Sequence, residues 1–296
     1  MFTSRPDAGH AGNPVPPGLP ADKETGKKSV YSRGGQDYRA PHMTDTELPP
    51  SLTQLTFHGP LSEARAARLV ARLARNSPRT VLDIGCGWGE LMLRVLAALP
   101  DATGLGLDTD EGDLARGREN ATARGLADRV SFVRESGVGT IRGPADLVLC
   151  VGASHALTEV EPPGHTAAAL LELKRLVTPG GRVLLGEGFW HRTPTEAELA
   201  GMWPGTSADE FGDLASLVDL TVGAGFRPAW IETATHQEWE DFESGYQCDE
   251  EEWLAAHPGH PKAAEIREQV DQHRSFWLRG YYGLLGQAYL TLVPVS

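Results

Sequence analysis

The chain has 296 residues, of which 40% are hydrophobic and 23% charged, and its formal net charge at pH 7 is −13. This length and composition are typical of a soluble globular protein with one large α/β domain or two small ones, and the acidic balance argues against binding to nucleic acid through its phosphates. No apolar run is long enough to span a bilayer, and the N-terminus lacks the apolar region of a signal peptide.

The three cysteines indicate the compartment. Cys86, Cys150 and Cys248 are not spaced as zinc ligands, and two of them lie in segments with the character of a buried core. We therefore expect reduced thiols in a cytoplasmic protein, with no metal site and no membrane partner.

Residues 1–42 differ in composition from the rest of the chain. They are rich in proline, glycine and charge and have almost no apolar periodicity. We predict that this segment is a disordered extension or a cloning remnant ahead of Met43, and that residues 43–296 form a single domain.

From about residue 61 the sequence alternates between helical and strand patterns. Such alternation predicts βαβ units, which form a mostly parallel sheet with helices on both faces. The stop-and-turn sequence Thr178–Gly181 separates a helix from the strand that follows it. The predicted helices are 61–76, 89–99, 111–126 and 165–177, and the predicted strands are 80–84, 103–108, 130–135, 146–151 and 182–189.

The pattern changes after Phe189. Helices are predicted over 194–204 and 208–223, within a helical cover at about 190–223, and Thr195 with Glu198 three residues later predicts a cap for the first. A sixth strand is predicted at 226–235, a helical insertion at about 237–280 and a terminal edge strand at 286–295. The fold class is thus α/β, a Rossmann-like sheet of seven strands.

The stretch VLDIGCGWGE, Val81–Glu90, places a glycine turn directly after the first strand. The dinucleotide fingerprint G-x-G-x-x-G fails because Glu90 stands where its third glycine should be, and no Gly-Lys-Ser/Thr follows as in a phosphate loop. The pattern present is D-x-G-x-G-x-G. A fixed negative charge on Asp83 would suit a ligand that carries an ammonium group and repel a pyrophosphate.

With this pattern, the sequence resembles the class I S-adenosylmethionine-dependent methyltransferases over about residues 60–190. The resemblance implies S-adenosyl-L-methionine as cofactor, with its methionine part against the glycine turn and its amino end held by Asp83. It also implies that Asp108, about twenty residues further on, binds the ribose hydroxyls, although a helix cap is the alternative for this residue. The cofactor contacts expected from this turn and the next strand end are Asp83, Gly85, Cys86, Gly87, Gly89, Asp108 and Thr109.

Later strand ends complete the implied cofactor site. After the third strand, Glu135 or Ser136 would accept from the adenine amino group, with a backbone contact as the alternative. After the fourth strand, Val151 would border the cofactor, and the residues that follow would line the space between its methyl group and the acceptor. Cys150 is predicted to be a core residue and not a nucleophile.

The methyl acceptor is predicted to be a small molecule, methylated at oxygen or nitrogen. The Asn/Asp-Pro-Pro-aromatic run of amide and adenine methylating members is absent, and Cys150 is not followed by proline as in cytosine-C5 enzymes. A nucleic-acid or protein methyltransferase and a non-catalytic cofactor-binding module are the alternatives. The oligomeric state is not indicated.

Candidate residues for the acceptor side follow from position alone. His155 and His191 come after the fourth and fifth strands, and an imidazole titrates in the range useful for a base. Glu187, Trp190 and His58 are predicted to border the substrate pocket. The acidic run Glu238, Glu240 and Glu243 would attract an amine or form a solvated face.

Overall fold

A computed structural model describes residues 48–295, so the prediction for residues 1–42 lies outside the described residues. Its strands join one seven-stranded sheet in the order β3-β2-β1-β4-β5-β7-β6, in which β1 to β5 are parallel and β7 is antiparallel to both its neighbours. The predicted fold class is confirmed. The strands are β1 (Thr80–Ile84), β2 (Thr103–Asp108), β3 (Val130–Arg134), β4 (Ala145–Val151), β5 (Val177–Trp190), β6 (Phe226–Thr233) and β7 (Leu285–Pro294).

Helices cover both faces of the sheet. The predicted cover contains two short helices, and the predicted insertion contains two longer ones followed by a π-helical segment at Phe276–Tyr281. Within residues 48–295 no helix combines the length and the apolar character that a membrane span requires. The helices are α1 (Glu63–Leu73), α2 (Glu90–Ala98), α3 (Glu111–Ala123), α4 (His165–Leu176), α5 (Glu196–Ala200), α6 (Leu214–Gly223), α7 (His236–Ala256) and α8 (Ala263–Ser275).

The central strands carry apolar residues on both faces of the sheet, and both faces are buried. Along β4, Leu147 and Leu149 belong to the core beneath α1, α2 and α7, whereas Val148 and Cys150 belong to the core beneath α4 and α6. Alternate side chains of a strand point to opposite faces, so a continuous apolar run marks a strand covered on both sides. Cys150 is a fully buried core residue, as predicted.

The prediction that the terminal strand lies at an edge is wrong. β7 lies between β5 and β6, and it is buried along residues 285–292. The edge strand on this side of the sheet is β6, whose Trp230 and Ile231 are 50% and 45% exposed. The apolar residues on both faces of β7 are the physical reason, since an edge strand rarely has two covered faces.

The turn predicted at Thr178–Gly181 is a bulge within β5. Val177 lies opposite Ala145 and Arg182 lies opposite Leu147, so four residues of β5 face the single residue Asp146 of β4. Gly180, at φ +79°, supplies the left-handed backbone that such a bulge requires. Helix α4 ends at Leu176, one residue before the predicted end.

The predicted cap of the first cover helix is confirmed. The Thr195 hydroxyl accepts a hydrogen bond from the backbone N–H of Glu198, and the Glu198 carboxylate accepts from the backbone N–H of Thr195. This reciprocal pair satisfies two helix N-terminal donors. The helix itself is shorter than predicted and ends at Ala200.

A buried ion pair ties helix α7 to helix α1. The Glu238 carboxylate accepts from Arg65 Nε at 2.9 Å and Arg65 Nη2 at 2.8 Å, and it also accepts from the Ser62 hydroxyl at 2.6 Å and the Thr235 backbone N–H at 2.7 Å. Burial alone would raise the pKa of Glu238, but these donors lower it to about 2. For this member of the acidic run, the prediction of a solvated face is wrong.

We expect Glu238→Ala to lower the free energy of unfolding by up to about 3–5 kcal/mol, because the buried Arg65 would lose its closer carboxylate and keep only the 3.3 Å contact with Glu232. Urea unfolding near neutral pH measures this change. The matched control is Glu111→Ala, which breaks an exposed pair with Arg118 and should cost less than about 1 kcal/mol. Equal losses in the two variants would contradict the structural role given to Glu238.

Candidate active site

The glycine turn after β1 leaves no room for side chains at two of its positions. Gly85 and Gly89 have φ angles of +61° and +65°, in the left-handed region. A Cβ added at Gly85 would lie 2.4 Å from the Ala153 Cβ, and one added at Gly89 would lie 2.6 Å from the Phe132 ring. Both glycines therefore serve the tight packing of the turn, against the loop after β4 and against β3, as well as its backbone conformation.

Asp108, at the end of β2, holds the turn from the adjacent strand. Its Oδ2 accepts a hydrogen bond from the Gly87 backbone N–H at 2.8 Å. Its Oδ1 accepts from the backbone N–H groups of Thr109 and Asp110 at 2.7 and 3.0 Å. The two predicted halves of the site, the turn and the acid, are therefore joined directly, and Oδ2, with one N–H bond, retains acceptor capacity for a ligand hydroxyl.

Asp83 lies beneath this turn and is almost completely buried. Burial, together with the negative charge of nearby Asp108, raises the pKa of Asp83 to about 8. The fixed negative charge predicted for Asp83 is therefore wrong for the protein alone at neutral pH, where the carboxyl group is mostly protonated. A cation placed beside this group would favour its ionised form.

A stack of side chains covers the outer side of the turn. The His58 ring lies parallel to the Trp88 ring with centroids 5.0 Å apart, and the Arg116 guanidinium lies 3.9 Å from the Trp88 ring centre on the same indole. Trp88 donates to the Thr56 carbonyl at 2.9 Å, and Arg116 donates to two more carbonyls of residues 48–62. His58 Nδ1 is 3.7 Å from an Asp113 carboxylate oxygen.

Sequence reasoning placed His58 at the edge of the site but missed Trp88 and Arg116. The available signal was a bulky indole inside a glycine turn, where small residues are the rule. The stack holds residues 48–62 over the turn, so this segment and the turn are positioned together. The role of His58 as a pocket residue stays a prediction.

The loop after β3 is tied to β2 and to itself. The Glu135 backbone N–H donates to the Asp108 carbonyl at 3.0 Å. The Glu135 carboxylate accepts from Arg142 Nε and Nη2 at 2.9 and 2.7 Å, and this pairing lowers the pKa of Glu135. Ser136 Oγ accepts from the Val138 backbone N–H. The adenine contacts predicted for Glu135 and Ser136 stay predictions.

The chain that follows β4 brings a histidine toward Asp108. Val151 is the half-buried last residue of β4, and a short 3₁₀ helix at Ser154–Leu157 carries the exposed side chain of His155. The surrounding protein and the neighbouring His165 lower the pKa of His155, against the opposing influence of Asp108. The lowered pKa favours the neutral imidazole, which is able to accept a proton.

Glu187, near the end of β5, is a buried carboxyl group with an unused oxygen. Its Oε1 accepts from the Gly188 backbone N–H at 3.0 Å, whereas its buried Oε2 has no partner among the described residues. Burial raises the pKa of Glu187 to about 7, although a hydrogen bond from the Ser154 side chain acts in the opposite direction. The group can thus gain or lose a proton near neutral pH.

His165 is a second buried group that the sequence did not single out. It begins helix α4, is 8% exposed and has no partner at Nδ1. Burial lowers the pKa of His165, and the charge of His165 when protonated would lower the pKa of His155. Only the fold could reveal this relation, because nine residues, two of them prolines, lie between the two histidines in the sequence.

The predicted pocket residue Trp190 and the second candidate base, His191, have different environments. Trp190 is 2% exposed, packs edge-on against Phe211 and donates its indole N–H to the Ala208 carbonyl at 3.1 Å. His191 is exposed and lies over the start of β7, where its backbone N–H donates to the Leu284 carbonyl. Their predicted roles stay predictions. Within residues 48–295 no three His, Cys, Asp or Glu side chains group as metal ligands.

The chain is similar to known methyltransferases in sequence and in fold. A family model described as a methyltransferase domain matches residues 82–183. The uncharacterized protein YjhP of Escherichia coli is 30% identical over 217 residues, which are 73% of this chain and 84% of that protein. A trans-aconitate 2-methyltransferase of Methylobacterium radiotolerans is 26% identical over 55% of this chain and 74% of its own length.

One solved structure bears on the ligand. A methyltransferase of Geobacter sulfurreducens, crystallised with S-adenosyl-L-homocysteine, has a TM-score of 0.71 and 25% identity to this chain. The match covers 83% of this chain and 98% of that protein. The likeness therefore extends beyond the segment that contains the glycine turn.

The buried carboxyl of Asp83 should make the ligand-free protein less stable as pH rises. Its pKa is about 8 in the folded protein against 3.8 ordinarily, so the folded state holds the proton more tightly and loses stability as pH increases between these values. We expect Asp83→Asn to remove this loss. The variant should gain unfolding free energy over the native protein by up to ~1.4 kcal/mol per pH unit in this range.

Urea unfolding at about pH 5 and about pH 8 measures this effect. The control is Asp101→Asn at an exposed position, which should stay within about 0.5 kcal/mol of the native protein at both pH values. A difference between Asp83→Asn and the native protein that does not grow with pH would contradict the raised pKa.

Proposed function

The chain belongs to the class I S-adenosylmethionine-dependent methyltransferases, and we propose that it methylates an oxygen or nitrogen atom of a small-molecule acceptor in the cytoplasm. Family membership rests on the extended similarity to YjhP, the matching methyltransferase domain and the shared fold. Its cofactor is S-adenosyl-L-methionine. The observation that carries the proposed arrangement is the hydrogen bond from the Gly87 N–H to Asp108, which makes one cradle from two strand ends.

The residues present fit this cofactor. We propose that the main chain at Gly85, Gly87 and Gly89 holds the methionine part, and that Asp83 faces its ammonium group. Asp108, fixed by three backbone N–H groups, would take the ribose hydroxyls. When bound, the cofactor supplies a methyl group already activated on a sulfonium. The bare backbone and two acids supply what a nucleoside with an amino-acid tail requires.

The remaining cofactor contacts are proposed from position. Thr109 directly follows Asp108, the residue proposed to bind the ribose, and the Glu135 N–H donates to the Asp108 carbonyl. Ser136 extends that loop, and Cys86 lies in the turn with its thiol near the Gly87 carbonyl. Val151 ends β4, which lies on the other side of β1 from β2. These residues would border the nucleoside, and the Glu135 carboxylate would do so while paired with Arg142.

We propose that His155 accepts the proton that the methylated atom must lose. Burial and the neighbouring His165 lower its pKa, which favours the neutral imidazole that can accept a proton, and the 3₁₀ helix that carries it follows β4. Glu187 would orient the acceptor with its unpartnered Oε2, while Ser154 and the Gly188 N–H hold the rest of the carboxyl group. His191 is the second candidate for the base.

Charge supports the small-molecule acceptor. The acidic groups near the turn are Asp83, Asp108 and Asp113, and the whole chain carries a net charge of −13, which disfavours a polyanionic partner. The similarity to a trans-aconitate 2-methyltransferase also favours a small molecule. All three cysteines are free thiols, which supports a reducing compartment.

The direct test is release of S-adenosyl-L-homocysteine from S-adenosyl-L-methionine in the presence of candidate acceptors. Separate panels contain small hydroxy compounds, small amines, an unmodified RNA and a protein extract. Turnover with the hydroxy or amine panel supports the proposal. Turnover with RNA or protein alone would overturn it, and tight cofactor binding without turnover in any panel would favour a binding module.

We expect Asp108→Ala to weaken binding of S-adenosyl-L-homocysteine by about 1–3 kcal/mol, because charge-assisted hydrogen bonds to the ribose would be lost. Isothermal titration calorimetry measures the dissociation constant. Asp108→Asn keeps one acceptor oxygen and should lose less, and thermal melting confirms that the variants are folded. An unchanged dissociation constant for Asp108→Ala would refute the ribose assignment.

His155→Gln should lower kcat by about 10²–10⁴-fold, the range for loss of a general base, while the cofactor dissociation constant stays unchanged. Because the pKa of His155 lies below the ordinary 6.5, native activity should be level around pH 7 and fall only at lower pH. His257→Gln, at the end of α7, is the matched control. Full activity of His155→Gln would transfer the role to His191.

A further inference from the structure

A small aromatic pocket lies beyond the ends of β5 and β6, beside the predicted acceptor side. Its volume is about 90 Å³, roughly three times the share of one water molecule in the liquid (~30 Å³), so it suits a compact group and not a whole nucleoside. The lining side chains come from the end of β5, the start of α7 and the π-helical segment with the turn that follows it. The principal ones are His191, His236, Trp239, Trp277, Tyr281 and Tyr282, hereafter the aromatic pocket.

The rings of the aromatic pocket stand at steep angles to one another. Trp277 and Tyr282 have centroids 6.0 Å apart and planes inclined by 62°, and Trp239 and Tyr281 are 6.2 Å apart at 60°. His236 and Tyr282 are 4.6 Å apart at 72°. Together these rings line several sides of the pocket, with Trp239 and Tyr281 joining it to the buried core.

Carboxylates lie behind two of these walls. The Tyr282 hydroxyl donates to Glu240 Oε1 at 2.8 Å, and the buried Tyr281 hydroxyl donates to Glu243 Oε1 at 2.8 Å. A hydroxyl that donates to a carboxylate leaves its ring more electron-rich. Both carboxylates add negative potential to the pocket while their histidine neighbours, His236 for Glu240 and His273 for Glu243, are neutral. Among the described residues that line it, none is lysine or arginine.

We propose that the aromatic pocket binds a compact alkylammonium group. Electron-rich ring faces attract cations within about 6 Å of their centres, and quaternary ammonium groups are held in this way by aromatic cages. The feature that would favour an anion instead is the indole N–H of Trp239, which has no partner among the described residues. Two nearby carboxylates outweigh one neutral donor.

The position of the aromatic pocket gives this site a use in the methyl transfer. His155 follows β4, whereas the aromatic pocket adjoins the end of β5 and the start of β7, the next two strands of the sheet. Neighbouring strands are about 4.8 Å apart, so a ligand spanning roughly 10 Å could reach both. The ammonium group would then be the remote end of the methyl acceptor; this part alone rests on the proposed function.

The binding test needs no methyl transfer and uses three probes of the same bulk. Tetramethylammonium carries the positive charge, tert-butanol is neutral and pivalate is negative. Ligand-observed saturation-transfer NMR and tryptophan fluorescence follow their binding to the full chain. We expect tetramethylammonium to bind at least about tenfold more tightly than tert-butanol, and pivalate to bind most weakly.

Substitutions locate the binding. Trp277→Leu should abolish tetramethylammonium binding, and Glu240→Gln should weaken it severalfold without removing a wall. Tyr282→Phe keeps the ring and should retain most of the affinity. The matched control is Trp230→Leu, because Trp230 is exposed on edge strand β6 with Arg72 stacked over it and lies outside the aromatic pocket. If Trp277→Leu does not fold, Glu240→Gln decides.

Equal affinity for tetramethylammonium and tert-butanol, tighter binding of pivalate, or unchanged binding in both Trp277→Leu and Glu240→Gln would each overturn the proposal. Failure of the methyl-transfer assay would leave this measurement intact, since it uses neither cofactor nor acceptor. Conversely, turnover with acceptors that carry no ammonium group would overturn only the link to the acceptor.

Discussion

The site depends on one hydrogen bond, from the Gly87 N–H after β1 to the Asp108 carboxylate after β2. Strands β1 and β2 are adjacent and parallel, so their carboxyl ends meet at one edge of the sheet, and this bond fixes the two loops relative to each other. The rest of the site follows from that constraint. Because Gly85 and Gly89 lack side chains, the turn packs closely against Ala153 and Phe132. The loop after β3 is hydrogen-bonded to the same aspartate, Asp108, through the Glu135 N–H.

At the same edge of the sheet, ionising the buried acids costs free energy. Asp83 and Glu187 are buried carboxyl groups whose pKa values are raised to about 8 and about 7, which means that the folded protein holds them against ionisation. Buried groups of this kind reduce stability at neutral pH and recur where a ligand supplies the missing partner. Glu238 shows the contrast, because Arg65 and several hydroxyl and backbone donors surround it and its pKa falls to about 2. The Glu238 carboxylate thus has its hydrogen-bond donors and a cationic partner within the protein. Asp83 and Glu187 have no cationic partner among the described residues.

The cover over the sheet is built by chain segments far apart in sequence. Glu238 attaches the start of α7 to Ser62 and Arg65, while Trp88 and Arg116 hold residues 48–62 over the glycine turn. These contacts bring the N-terminal segment and the insertion after β6 together over one face of the sheet. The aromatic pocket forms beside them, at the point where α7 meets the chain leading into β7. Its walls are therefore positioned by the same contacts that close the cover.

The sequence by itself determined the α/β class, the parallel strands, the glycine turn, Asp108 and the family, because each rests on local spacing within a few residues of a strand end. The Thr195 cap followed from local spacing in the same way. The tertiary structure alone decided the place of β7, since pairing with β5 and β6 is a contact between distant segments. It also decided that Asp83 is largely neutral and that the charge of Glu238 is paired with Arg65. Burial and long-range pairing set these properties, and no spacing along the chain encodes the dielectric or the partner that a side chain meets after folding.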